Sequence, residues 1–157
     1  NINLIFLIIV SITLQAIMDN TMKEWHINSG YKSHYKRNQA HMIKRNLAYI
    51  GLGCDHDDYS SRCESRGFQT PKQFERFKRD AKKGDKIYLY QKGKGYIHYG
   101  YYTGIIHEPG ITSCAWELAP DWRITEIQKH IQVDKWVPIN NPTMPNVVPN
   151  VTLKEIK

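Results

Sequence analysis

Aromatic side chains are the residues of this sequence best suited to bind a flat ligand. The chain has 10 tyrosines and 4 tryptophans, and many of the tyrosines lie in the string IYLYQKGKGYIHYGYY at residues 87–102. Such rings bind nucleic-acid bases by stacking, which contributes about 1–3 kcal/mol per base. The string places aromatic side chains on both faces of a β-hairpin, and a half-exposed sheet cannot bury both. We therefore expect some of these rings to contact solvent or a ligand.

Basic residues are the second group with an evident binding chemistry. The 157-residue chain has 22 Lys+Arg against 15 Asp+Glu, a formal net charge of +7 at pH 7, and the excess lies in two blocks, residues 18–53 and 71–95. If the two blocks share one surface, they attract a phosphate backbone and release its counterions. The alternative is a solvated lysine-rich face that only keeps the protein in solution.

Residues 54–63 hold side chains that can ligate zinc, among them Cys54, His56 and Cys63. Their spacing matches no standard structural zinc site, so we interpret residues 54–70 as a solvated acidic loop and predict neither a metal nor a cofactor. The sequence also lacks a nucleophile elbow and a glycine-rich nucleotide fingerprint. An odd set of 3 cysteines is too small for a disulfide framework and favours a reducing compartment, either cytoplasmic or nuclear.

The elements that must position these groups belong to one domain, because 41% hydrophobic and 24% charged residues are typical of a single globular core of this length. The alternation around Trp25 predicts a strand. We expect a short helix at residues 33–46 and a buried strand at residues 47–50, which ends at Gly51-Leu52-Gly53. Thr70-Pro71 begins a second helix with Phe74 and Phe77 on its core side and Gly84 at its stop.

A β-hairpin follows, with a glycine-rich turn at residues 92–95. Gly100 and Gly104 remove two side chains from one face of its long second strand, which permits sharp coiling. We predict further strands at 114–118 and 122–127, an edge strand at 136–139, and a short final element in TLKEI.

The N-terminus opens on an apolar run from Leu4 to Ile17, while Met18 begins a polar stretch. We interpret residues 1–17 as a leader or upstream translation, residues 18–145 as the domain and residues 146–157 as a C-terminal tail. The alternative for residues 1–17 is a signal peptide or membrane anchor, which would allow secretion or membrane attachment.

The order of these elements resembles the EVE-type members of the PUA-like superfamily, relatives of YTH and ASCH domains. The resemblance spans roughly residues 22–140 and rests on the Trp25 strand, Gly51-Leu52-Gly53, the Phe-rich helix and the strand after Gly84-Asp85. It implies an α+β fold, a small partly open β-barrel of about five to six strands flanked by two or three helices. Better-understood members of that superfamily hold a flipped modified base in an aromatic pocket.

The resemblance also implies a set of base-binding residues in this chain, with Trp116 as a further wall of the pocket. The predicted base-binding residues are Trp25, Ile50, Gly51, Gly53, Tyr90 and Trp116. Basic residues are expected to contact phosphates and to set the position of the bound strand. The predicted phosphate-binding residues are Lys36, Arg37, Lys44, Arg45, Lys92 and Lys94.

The sequence thus predicts a monomeric, non-enzymatic domain that binds DNA or RNA and recognises a modified or unpaired base. Two alternatives remain open at this point. One is an ASCH-like nuclease on the same fold, with Asp85 and Lys92 as its candidate catalytic residues. The other is a secreted or anchored interaction protein, which requires residues 1–17 to be a genuine export or anchoring segment.

Overall fold

The computed structural model describes residues 2–19, 21–29, 35–50, 70–108, 129–146 and 153–157, and these form an α+β fold. The helices of this part are α1 (Ile2–Asp19), α2 (Tyr35–Arg45) and α3 (Thr70–Asp80). Its strands are β1 (Glu24–Asn28), β2 (Leu47–Tyr49), β3 (Lys86–Gln91), β4 (Gly95–His107), β5 (His130–Val133), β6 (Val137–Thr143) and β7 (Leu153–Ile156). The predicted loop at 54–70, apart from Thr70, and the predicted strands at 114–118 and 122–127 lie outside the described residues.

The strands form one mixed sheet in the order β2-β5-β4-β3-β1-β7, with β6 paired to β4. β1 and β3 are parallel, and every other pair is antiparallel. Over the described residues the sheet stays open, with β2 and β7 at its two ends. The described part of the sheet has seven strands where the sequence predicted about five to six. The short final element predicted in TLKEI is confirmed as β7, which pairs with β1 and inserts Leu153 into the core.

Strand β4 serves two sets of partners because it bends at its glycines. Its first half pairs with β3 and β6, and its second half pairs with β5 after a register shift between Tyr102 and Ile106. Gly104 lies within that shift at φ +88°, a conformation that favours glycine. At Gly100 a Cβ atom would contact Val133 and lie 2.8 Å from the carbonyl oxygen of Lys135. Both glycines thus occupy positions where another residue would be strained or would clash, while the predicted coiling of the strand stays a prediction.

The main hydrophobic core lies between one face of the sheet and α3. The helix begins at Thr70 as predicted, and Phe74 and Phe77 are both buried. The Phe77 ring packs edge-on against Trp25, with ring centroids 4.7 Å apart. The helix ends at Asp80, before the predicted stop at Gly84, whose φ of +95° instead shapes the turn into β3. The remaining core residues include Ile27, Met42, Ile87, Leu89, Ile131, Val133 and Trp136.

A buried carboxylate, that of Asp85, joins three segments at one edge of this core. Only 1% of Asp85 is exposed. Its Oδ1 accepts a hydrogen bond from the backbone N–H of Lys23, and its Oδ2 accepts from the Trp25 indole N–H and the Lys82 backbone N–H, all at 3.0 Å. Its backbone carbonyl accepts from Tyr102 of β4 at 2.8 Å. All three carboxylate contacts are directed at the protein, so Asp85 has a structural role here.

Replacing Asp85 by alanine is expected to lower the free energy of unfolding by at least about 3 kcal/mol, because it leaves three N–H donors without their acceptor. One of these donors is the buried indole N–H of Trp25. The control is Asp134→Ala, which removes an exposed carboxylate that accepts from Tyr101 N–H at 2.8 Å and that water can replace. Urea unfolding followed by circular dichroism measures both. Equal losses in the two variants would contradict the central role of Asp85.

The described side chains of helix α1 lie outside the core. Its side chains from Ile2 to Ile17 are all exposed, including those of large apolar residues such as Phe6 and Leu7. None of the helices in the described part of the chain is long and apolar enough to cross a membrane.

Deletion of residues 1–17 is accordingly expected to leave a domain that unfolds cooperatively, with a free energy of unfolding within about 1 kcal/mol of the full chain, because none of the deleted side chains that the structure describes is buried. Thermal unfolding of the two proteins, together with sedimentation velocity, measures this. A truncated protein that precipitates or unfolds without a cooperative transition would show that α1 packs on the domain after all.

Candidate functional site

The carboxyl ends of two parallel strands meet at one edge of the sheet. Asn28 of β1 pairs with Tyr90 of β3, and the next residue, Ser29, donates its backbone N–H to the Tyr90 carbonyl at 2.9 Å. The hairpin turn with Lys92 and Lys94 begins immediately after β3. Ligands often bind outside the carboxyl ends of parallel strands, where the chain leaves the sheet. We call Ser29, Gln39, Tyr90 and Gln91 the strand-end site.

The strand-end site contains a buried hydroxyl with spare hydrogen-bonding capacity. Ser29 is 1% exposed, and its Oγ has no hydrogen-bond partner among the residues that the structure describes. Buried polar atoms in native proteins are nearly always paired, so such an atom calls for an explanation. The hydroxyl lies at the end of β1, beside the Ser29–Tyr90 backbone hydrogen bond.

A hydrogen bond between two glutamines ties α2 to this edge. Gln39 Nε2 donates to Gln91 Oε1 at 2.9 Å, and Gln91 is itself buried. The contact places the first turn of α2, with Lys36 and Arg37 in its backbone, near the hairpin turn at Lys92 and Lys94. The side chains of Lys36 and Arg37 lie outside the described residues, whereas those of Lys92 and Lys94 are exposed.

The other two predicted phosphate-binding residues lie at the far end of α2. Lys44 and Arg45 are exposed and close the helix, several residues beyond Gln39. From Lys36 to Lys44 the helix rises about 12 Å. Of the six predicted residues, Lys92 and Lys94 lie in the turn next to the strand-end site, Lys36 and Arg37 precede Gln39 in the backbone of α2, and Lys44 and Arg45 lie at the other end of the helix.

Trp25 and Tyr90 do not share a pocket. Trp25 pairs with Ile87, and both side chains lie in the hydrophobic core, where Trp25 is 1% exposed. Successive side chains of a strand point to opposite faces, so His26 lies on the other face, and Tyr90 contacts it with ring centroids 5.1 Å apart. The indole of Trp25 is thus held by Asp85 and Phe77, with no open ring face for a base.

The remaining predicted base-binding residues do not lie at the strand-end site or are outside the described part of the chain. Ile50 follows β2, is fully buried in the core, and donates its backbone N–H to the Lys129 carbonyl at 3.1 Å. Gly51, Gly53 and Trp116 lie outside the described residues. Of the six, Tyr90 is the one that the structure places at the strand-end site.

Two residues that the sequence analysis did not select, His26 and Tyr96, form an aromatic cluster with Tyr90 behind the strand-end site. His26 Nδ1 is 3.1 Å from the Tyr96 hydroxyl oxygen, and the Tyr90 and Tyr96 centroids are 5.9 Å apart. Burial raises the pKa of Tyr96, and the neighbouring Tyr90 and Tyr88 raise it further, so its hydroxyl stays neutral. The alternation in EWHIN, which puts His26 opposite Trp25, was the available signal for this cluster.

A second group of ring side chains lies at the other end of the sheet. His41 Nδ1 is 2.6 Å from the Tyr49 hydroxyl oxygen, and His130 stacks on His107 with centroids 4.6 Å apart. Within the described ranges, no three His, Cys, Asp or Glu side chains are grouped closely enough to hold a metal ion. The predicted ligand types Cys54, His56 and Cys63 lie outside those ranges.

His98 introduces a partly buried titratable ring on the hairpin. It pairs with Leu89, and its Nδ1 is buried with no hydrogen-bond partner in the described part of the chain. Burial lowers the pKa of His98 below its ordinary value of 6.5. The unfolded chain therefore binds a proton at this ring at a higher pH than the folded protein does.

Because the unfolded state takes up the extra proton, the His98 contribution to stability is complete above about pH 6.5 and is lost as the pH falls from there toward the lower folded pKa. We expect His98→Phe to flatten the decline in the free energy of unfolding between about pH 7.5 and 5. Urea unfolding at a series of pH values measures the slope. His107→Phe, at an exposed ring, is the control, and an unchanged slope in His98→Phe would contradict the prediction.

Comparisons with known proteins add no relative to this description. No protein-family model matches the chain, and neither a curated protein nor a solved structure matches it. The function therefore has to be argued from the strand-end site and its surroundings.

Proposed function

We propose that this protein is a nucleic-acid-binding domain that holds an unpaired or modified base at the strand-end site. The observation that carries the proposal is the Gln39–Gln91 hydrogen bond of 2.9 Å. It joins the first basic block, on α2, to the second basic block, at the hairpin turn, and does so where Ser29 and Tyr90 end their strands. With Lys36 and Arg37 in α2 and Lys92 and Lys94 in the turn, two separate positive stretches of sequence would form one positive edge around a polar site.

The groups at the site have the chemistry that base recognition needs. Proteins read unpaired bases by hydrogen bonds to their edges and by contact with aromatic rings. Ser29 offers a hydroxyl, Gln39 and Gln91 offer amides that both donate and accept, and Tyr90 and Tyr96 offer rings. Each polar group can pair with a base edge, and the choice among them provides selectivity between bases.

Phosphate contacts would come from the rim of the site. Lys92 and Lys94 are exposed in the turn and carry point charges that need no fixed geometry to attract a phosphate backbone. Lys36 and Arg37, by their backbone position in α2, would extend the same edge. Such contacts set affinity and position, while the site sets selectivity.

For the fold, we propose the EVE-type, PUA-like architecture, a small partly open barrel. The support is the parallel pairing of β1 with β3 and the order in which α3, the Gly84-Asp85 turn and the β3–β4 hairpin follow one another. The bend of β4 at Gly104, between its pairing with β3 and its pairing with β5, is the feature that would let such a sheet curl.

The proposal is tested by reversing the charge of the turn. We expect the double variant Lys92→Glu/Lys94→Glu to bind every single-stranded oligonucleotide more weakly, and its dependence of log K on log salt to be shallower by about 0.7 for each phosphate that the variant no longer neutralises. The control variant Lys72→Glu/Lys83→Glu makes the same change in net charge at exposed residues away from the strand-end site. Fluorescence anisotropy at several salt concentrations measures both variants.

Two results would contradict the proposal. Equal weakening in both double variants would mean that only net charge matters and that the hairpin turn is not at the interface. Cleavage of the oligonucleotide during incubation with the wild-type protein and Mg²⁺ would show that the protein is a nuclease and not only a binding domain.

A further inference from the structure

The outer face of the β3–β4 hairpin carries a row of tyrosines with a lysine between them. Tyr88 pairs with Tyr99, and Lys86 pairs with Tyr101. The Lys86 ammonium lies 4.9 Å from the Tyr88 ring centroid and 4.5 Å from the Tyr99 centroid, and the Tyr99 and Tyr101 centroids are 6.1 Å apart. We call Lys86, Tyr88, Tyr99 and Tyr101 the tyrosine row.

The tyrosine row continues into the strand-end site. The Tyr88 ring lies 5.2 Å from Tyr96, which in turn contacts Tyr90. Exposure rises along this path, from 2% at Tyr90 to 42% at Tyr101, so the rings pass gradually from a buried site to an open surface. Tyr90 and Lys86 are four strand positions apart, a length of about 13 Å.

The tyrosine row combines aromatic rings with one cation. Its exposed groups are rings with one cation held over two of them, and the nearby Glu24 carboxylate already accepts the Tyr88 hydroxyl at 3.2 Å. Lys86 stays charged, because its hydrogen bond to Tyr88 raises its pKa. Aromatic rings with interspersed cations on a flat sheet are the combination that stacks unpaired bases and neutralises their phosphates.

We propose that the tyrosine row binds about two or three bases of an unpaired nucleic-acid strand as that strand leaves the strand-end site. The inference rests on the proposed function and specifies the ligand, which is a base within a single-stranded segment. A duplex would not serve, because its bases are stacked on each other and their faces are closed to the tyrosine rings.

The test compares unmodified oligonucleotides, DNA and RNA, of about three and about nine nucleotides, single-stranded or duplex. The wild-type protein should bind the longer single strand much more tightly than the shorter one. In Tyr99→Ala/Tyr101→Ala we expect the longer strand to lose about 5- to 100-fold in affinity and the shorter strand to be almost unaffected. Tyr99→Phe/Tyr101→Phe keeps the rings and should restore most of the binding.

Two controls separate binding from folding. Ile105→Ala removes another exposed side chain of β4, 45% exposed and beyond the row, and should leave both affinities unchanged. Thermal unfolding of each variant must match that of the wild type, since the replaced side chains lie outside the core.

The outcomes distinguish the two proposals. If Tyr99→Ala/Tyr101→Ala binds the longer strand as the wild type does while Lys92→Glu/Lys94→Glu binds it weakly, the tyrosine row is excluded and the proposed function stands. Equal losses on duplex and single-stranded probes would also overturn the row. If the wild type binds none of the oligonucleotides, both proposals fail.

Discussion

The Asp85 carboxylate is the constraint on which the rest of this structure depends. A buried charge is tolerated only when hydrogen bonds replace its hydration, and here the N–H groups of Lys23, Trp25 and Lys82 do so. These donors belong to the entry into β1, to β1 itself and to the turn after α3. The carboxylate thus sets where β1 starts beside β3, and the register that follows carries Asn28 to Tyr90 at the other end of the pair.

That register gives the sheet two faces of different composition. Trp25, Ile27, Ile87 and Leu89 form the hydrophobic side with α3, where Tyr102 of β4 packs against Phe77. The opposite side carries His26 and the hairpin tyrosines Tyr88, Tyr90, Tyr96, Tyr99 and Tyr101. On the first side, the polar group of an aromatic residue is already hydrogen-bonded within the protein, as the Trp25 indole N–H is to Asp85. On the second side, exposure rises from 2% at Tyr90 and 8% at Tyr96 to 42% at Tyr101. The site therefore follows from strand alternation together with the depth at which each ring is buried.

The strand-end site also joins parts of the chain that are distant in sequence. Gln39 and Gln91 meet through a single hydrogen bond, and Ser29 reaches Tyr90 through its backbone. Neither contact has a recognisable motif, because a glutamine pair and a serine after a strand occur in many folds. Their interest comes from where they lie, at the end of the parallel pair and beside the turn with Lys92 and Lys94.

Local chemistry made much of the fold predictable from the sequence. The start of α3 at Thr70, its buried Phe74 and Phe77, the hairpin with its glycine turn and the bend of β4 all depend on residues that are neighbours along the chain. The α+β class, which the resemblance implied, is confirmed by the described helices and strands. What depends on distant pairing was not predictable: the parallel alignment of β1 with β3, the addition of β7 at the edge, and the opposite faces of Trp25 and Tyr90. A tryptophan in a strand looks the same in sequence whether it lines a pocket or fills a core, and the buried carboxylate of Asp85, 60 residues away, decides that it fills the core.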